Sequence, residues 1–196
     1  MAITNGYATL AEYKAYHTID STDPTDDRVI EDLIEAASRH FDVECGQRTF
    51  YGRTQTRYFD VPPGRFLRLD DDLISVTTLT NGDGTVLTTA DYYLHPRNAA
   101  PYWEIRLKET STYTWQSDTS GNYEGAISVL GSWGYAASAP KNVYVATLEI
   151  AKALYSRRTG ENMNMIARVT AAGVVMMPAG TPDWVADVIA GYRKKI

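Results

Sequence analysis

The residues best equipped for nucleophilic or proton-transfer chemistry are one cysteine, Cys45, and three histidines, His17, His40 and His95. A cysteine nucleophile needs its base within hydrogen-bond reach. His40 and Cys45 fall five residues apart on one expected helix, about 140° around its axis, so they do not face each other. That spacing predicts a packed Cys45 and a surface His40. There is no Gly-x-Ser-x-Gly elbow, no Gly-x-x-x-x-Gly-Lys phosphate loop and no His-Glu-x-x-His zinc helix. A single cysteine also excludes an intramolecular disulfide and a cysteine-based zinc cluster.

Two acidic clusters invite a cation. In Asn81-Gly82-Asp83-Gly84, placing Gly84 at the sixth position of a calcium loop puts Leu79 first and Ala90 twelfth, and neither side chain offers an oxygen. Asp70-Asp71-Asp72 reads as a solvated turn between strands rather than a weak cation site. The chain is therefore expected not to be an enzyme and to carry neither cofactor nor metal. Fourteen tyrosines and four tryptophans are concentrated in the middle of the chain. They suit either a stacking platform for a carbohydrate or single-stranded nucleic acid, or cross-strand pairs and subunit contacts. Few basic residues interleave with them, which favours pairing and contact.

The elements that must position these residues fall into three blocks within 196 residues, 44% of them hydrophobic and 22% charged. Thr9 and Glu12 form a Thr-x-x-Glu capping box that opens a short helix. Asp23 and Pro24 are the expected N-cap and first position of a second helix. Its Ile30, Leu33, Ile34, Ala37 and Phe41 make one apolar stripe, and Gly46 is the expected stop. From Thr54 to Tyr135, strands are expected at 55–59, 66–69, 74–79, 92–94, 103–107 and 126–130, with a tight turn at Asn81–Gly84. The helical period returns at Val143, Ala146, Thr147, Ile150, Ala151, Leu154 and Tyr155 and closes at Gly160. A last helix opens at Thr181-Pro182.

The expected fold is α+β: a helical bundle of N-terminal helices (1–52) and C-terminal helices with a tail (139–196), interrupted by an antiparallel β domain (53–138), a small sandwich or barrel. Between the last helices, Val174, Val175, Met176 and Met177 sit in an apolar stretch flanked by glycines. It reads as a core lid or as a β-hairpin arm that meets another subunit.

Charge is uneven. Residues 1–45 hold three basic and ten acidic side chains, −7. Residues 46–140 carry −2 and residues 141–196 carry +4. This excludes a generally basic nucleic-acid binder and fits head-to-tail contacts between unlike faces. Asp26, Asp27, Glu31, Asp32 and Glu35 crowd the second helix, where they could line a channel that repels DNA phosphates. With no apolar run long enough to span a membrane and no secretion signal, a reducing, intracellular setting is expected, or a particle assembled in one.

Taken in order, the segments Tyr7–Lys14, Asp26–Ser38, Cys45–Phe50, Thr56–Asp60, Ile74–Leu79, Asp91–Pro96, Pro140–Gly160 and Pro182–Lys194 resemble the tailed-bacteriophage head–tail adaptor proteins, also called head-completion or portal-associated connector proteins. The resemblance implies a structural virion protein that assembles in the host cytoplasm as a ring, typically dodecameric, on the portal vertex. Such a ring extends the DNA channel, helps retain packaged DNA and offers a platform to a head-closure (stopper) or tail component. It implies partners in the portal protein, in further copies of the chain and in DNA passing through without sequence-specific binding, and no membrane. It gives the C-terminal Tyr192, Arg193, Lys194, Lys195 and Ile196 a portal-docking role. The methionine-rich 161–180 stretch departs from the family's pattern. The competing function is a carbohydrate-recognition module on a helical base.

Overall fold

The computed structural model describes residues 3, 5–158 and 165–194. It forms two units, one from Met1–Phe50 with Ser138–Ile196 and the other from Tyr51–Ala137. Helices make up the first unit, with one small hairpin, and an antiparallel sheet makes the second, so the chain is α+β as expected.

In the first unit, helix α1 (Leu10–Tyr16) opens on the expected capping box. The Thr9 hydroxyl accepts from the Glu12 amide at 3.3 Å, and the Glu12 carboxylate accepts from the Thr9 amide at 2.8 Å. Helix α2 (Asp27–Glu44) starts later than the sequence suggests. The Asp23 carboxylate accepts from the Thr25 amide and hydroxyl, and that local turn holds it away from the helix end. Asp26 takes the N-cap position. Lys14, buried beneath this turn, donates to the Asp23 carbonyl and pairs with Asp27. At the far end Gly46 adopts φ +77°, the left-handed stop that glycine favours.

The stripe Ile30, Ile34, Ala37 and Phe41 is buried against helix α3 (Lys141–Arg158) through Val143, Ala146, Ile150 and Ala151. The expected stop at Gly160 lies outside the described residues. Strands β7 (Met165–Thr170) and β8 (Gly173–Pro178) form a hairpin, and helix α4 (Asp183–Tyr192) follows, burying Val185 and Ile189.

Tyr7 locks the N-terminal segment to this bundle. Its hydroxyl donates to the buried Asp42 carboxylate and accepts from the Phe50 amide at 2.8 Å. Burial, the Asp42 charge and the bond to Asp42 push the Tyr7 pKa strongly upward, against a smaller opposing effect of the Phe50 amide, so the phenol stays neutral. Tyr7→Phe removes a donor to a buried carboxylate and an acceptor from a buried amide. The expected loss is about 2 kcal/mol of stability, readable as a lower urea midpoint with unchanged slope.

The second unit is a single sheet of strands β1 (Arg53–Phe59), β2 (Phe66–Thr80), β3 (Val86–Leu87), β4 (Tyr92–His95), β5 (Tyr102–Leu107) and β6 (Ile127–Trp133). The order is β1-β6-β2-β5-β4 with β3 beside β2, and the path does not close. The expected barrel is thus corrected to an open sheet. Strand β2 is the reason. The expected turn at Asp70–Asp72 is instead part of one 15-residue strand that joins both halves of the sheet. Arg57 of β1 reaches across β6 and donates to Asp70 and to Asp71, each at 2.9 Å, so these two carboxylates are paired with a cation of the same sheet. Arg57 in turn lies 4.5 Å over the ring of Trp133, which is fully buried and donates to the Gln55 carbonyl.

The centre of this sheet leaves no room for a side chain at Gly131. A Cβ there would stand 2.3 Å from the Ser75 carbonyl oxygen of β2, a backbone atom that cannot move without breaking the ladder. Gly131→Ala is expected to cost about 1–3 kcal/mol, seen as a lower melting temperature.

Candidate functional site

The residues suited to chemistry are all engaged in structure. Cys45 is fully buried with its Sγ 3.7 Å from the Ile189 carbonyl, and burial pushes its thiol up to about 12. His40 Nε2 lies 2.9 Å from the Met176 carbonyl, and His17 Nε2 lies 3.3 Å from that of Leu148. A carbonyl only accepts, so both rings donate from Nε2 and serve as ties between elements. His95 packs edge-on against Trp103. Among the described residues no three His, Cys, Asp or Glu side chains gather as a metal site would need.

The C-terminal residues expected to reach outward are folded back onto their own unit. The Tyr192 hydroxyl donates to Asn142, and the Tyr192 carbonyl accepts from Arg48 at 2.7 Å. Arg193 is a clamp: Nε donates to the Glu44 carbonyl at 3.0 Å, Nη1 to that of Ala172 at 3.1 Å and Nη2 to that of Val174 at 3.2 Å. One guanidinium fork therefore joins the end of α2 to the β7–β8 hairpin. The Lys194 amide donates to the Cys45 carbonyl. Lys195 and Ile196 lie outside the described residues. Nothing in the sequence distinguishes Arg193 from its basic neighbours, so the clamp was not legible there.

The acidic residues of α2 divide in two. Asp26 accepts from Tyr155 at 2.6 Å and from Arg158 at 2.9 Å, and these bonds hold its carboxyl below the usual range. Asp27 pairs with Lys14, and Glu35 accepts from the Asn5 amide. Glu31 is half-buried, whereas Asp32 is exposed and points about 170° from the centre of the apolar stripe. The outward acidic face of α2 is therefore carried by Asp32, with Glu31 and Glu35 beside it.

The hairpin is the most asymmetric surface in this unit. Val175 and Met177 point inward and are buried in the core. Val174 and Met176 point outward, joined by Val169 and Met165 on β7, and Val169 is paired directly with Val174. Val169 is 87% exposed and Val174 52%. The four residues assigned together from the sequence thus split between a lid and an arm, two to each. The hairpin is held by its opposite face and by Arg193, by the Met176 amide donating to Glu44, and by an Arg168–Asp183 ion pair.

In the second unit, a cleft of about 480 Å³ lies between Ile74–Val76 of β2 and Tyr92–Leu94 of β4, with Arg97 and Lys108 at its rim. The aromatic content is divided: Tyr92, Trp115 and Trp133 are in the core, whereas Tyr58, Trp103, Tyr113 and Tyr123 are exposed.

The fold is shared along its full length with solved structures. The chain superposes over 100% of its residues on 94% of a chain from the neck of an empty gene transfer agent (GTA) particle computed with C6 symmetry, with TM-score 0.59 and 17% identity. It superposes equally on 93% of a chain from the neck of a native GTA particle computed with C12 symmetry, with TM-score 0.60 and 16% identity. No protein-family model and no curated protein sequence matches. At this identity the likeness establishes the fold alone, an α+β fold that also occurs in the neck of GTA particles. No helix among the described residues is long and apolar enough to cross a membrane.

Proposed function

We propose that this chain is a structural neck protein of a phage-like particle, a head–tail adaptor that forms a homo-oligomeric ring on the portal vertex. The observation that carries the reading is the end-to-end fold match to neck components, one of them from an assembly with twelvefold symmetry. The ring proposed here has twelve copies, is assembled in the host cytoplasm and ends in the virion between head and tail. It extends the DNA channel, helps retain the genome and presents a platform to a stopper or tail component. The reading assigns the chain no reaction and no cofactor.

Two features of the molecule support it. A closed ring needs unlike, complementary faces on each subunit, and an apolar hairpin face is the kind of surface such a contact buries. Asp32, Glu31 and Glu35 give α2 a negative face that suits a channel through which DNA slides without sticking. The C-terminal Lys194, Lys195 and Ile196 follow the Arg193 clamp and are assigned to the portal, with Tyr192 and Arg193 holding their base in place.

Gold-labelled antibody against this chain, applied to intact and tail-stripped particles, tests the reading. Label at the head–tail junction is expected, exposed more fully when tails are removed. Label at the tail tip would contradict the adaptor role and suit carbohydrate recognition instead.

A further inference from the structure

We propose that the cleft beside β2 receives an extended, acidic segment of a partner protein, added as a strand to the open β2 edge between β5 and β3. Leu73 of β2 pairs with Tyr102 of β5 on one side and Trp133 of β6 on the other, and Leu79 pairs with Leu87 of β3 and Val129 of β6. Strands β5 and β3 therefore share one edge of β2, and β6 holds the other. Between their last pairings, no described strand covers Ile74–Thr78 on the β5–β3 edge. Such a stretch presents amides and carbonyls in the pattern a further strand would match.

The lining of the cleft points the same way. Side chains alternate across a strand, so a cavity against one face touches every second residue. Here Ile74, Ser75 and Val76 are consecutive, as are Tyr92, Tyr93 and Leu94. The cleft therefore meets β2 along its open edge instead of one face. Two register shifts in the β2–β6 ladder, between Leu73 and Ser75 and between Val76 and Thr78, turn this part of β2 relative to the sheet.

Charge selects the occupant. Arg97 is exposed and lies 4.5 Å over the Tyr93 ring, and Lys108, whose ammonium donates to the Thr89 carbonyl, also lines the cleft. No carboxylate lines the cleft. Asp91, next in sequence to the lining residue Tyr92, is occupied by the Thr88 amide and hydroxyl and by Ser111. Acidic segments of this same chain are poor candidates. Asp20 and Asp23 are tied into local turns with Thr22 and Thr25, and the acidic residues from Asp27 to Glu44 are held in helix α2, so the extended segment is assigned to a partner protein.

The proposal does not depend on the ring. It is tested on the full chain with two blocked hexapeptides, Glu-Val-Glu-Val-Glu-Val and Lys-Val-Lys-Val-Lys-Val, by fluorescence anisotropy and amide hydrogen exchange. The acidic peptide is expected to slow exchange of alternate amides within Ile74–Thr78 and to bind on the order of tenfold more tightly than the basic one. Arg97→Glu, on an exposed side chain, should erase or reverse that preference, and Arg97→Gln should erase it without adding a charge. Equal binding of both peptides, or no slowing at Ile74–Thr78, overturns the proposal. So does slowing that needs no peptide and grows with protein concentration, which would make a second copy the occupant. Oligothymidylate binding at the tyrosines without amide protection would overturn it in favour of a stacking platform.

Discussion

Replacing Val169 with Lys and Val174 with Glu is expected to leave the subunit folded and to abolish ring assembly. The two residues face each other across the hairpin, and both are exposed, so the new side chains pair as opposite charges on adjacent strands. The melting temperature of the free subunit should barely move, because surface changes away from packed groups stay within about 0.5 kcal/mol. In the proposed ring, the joint loses two apolar side chains. At about 1.5 kcal/mol for each one buried, this weakens each subunit joint by roughly 3 kcal/mol, or on the order of a hundredfold. A closed ring repeats the joint at every subunit, so the closed form should vanish at micromolar protein. Sedimentation velocity in the presence of portal rings reads this directly. Normal rings from the double variant would show that the hairpin face is not the joint.

The second large effect is at Arg193. Arg193→Ala removes three carbonyl bonds and the nearby Glu44 carboxylate contact at 3.6 Å, and it disconnects the hairpin from the end of α2. Charged hydrogen bonds contribute more than neutral ones, but this side chain is partly exposed, so the expected cost is about 2–3 kcal/mol in all. Most of that loss should appear locally. Amide exchange in 165–178 is expected to accelerate far more than exchange in α3, whose packing does not involve Arg193. Arg193→Lys should rescue little, since an ammonium cannot span three carbonyls as a planar fork does. Uniform acceleration across the unit would instead make Arg193 part of the global core. Because Val185 and Ile189 are buried, deleting all of 181–196 would unfold this unit. Loss of the last residues beyond Arg193 is the cleaner probe of portal docking.

What was legible in the sequence is what repeats. The α2 stripe, the Thr9–Glu12 box and the Gly46 stop are periodic or local signals, and each appears where its physics places it. Asp70–Asp72 misled because three consecutive carboxylates look like solvent, and the Arg57 that pairs with two of them comes from β1, across β6, a placement set by the sheet and not by local sequence. Asp23 misled for a shorter-range reason: its side chain had a competing partner two residues away. The run Val174-Val175-Met176-Met177 shows no alternation because both faces of its strand are apolar, one for the core and one exposed. Arg193 could not be read at all, since its three acceptors come from segments 19 to 149 residues distant.

The central claim is that copies of this chain close into a ring on a portal. Mixing the purified full chain with portal rings and determining the structure of the product by electron cryo-microscopy tests it most directly. The predicted result is a closed ring of about twelve copies, by analogy with ring oligomers of closed symmetry, with the 165–178 hairpin buried at each joint and the Asp32 face turned to the lumen. Subunits that remain monomeric beside the portal would contradict the account, as would a ring that leaves the hairpin in solvent and turns Asp32 outward.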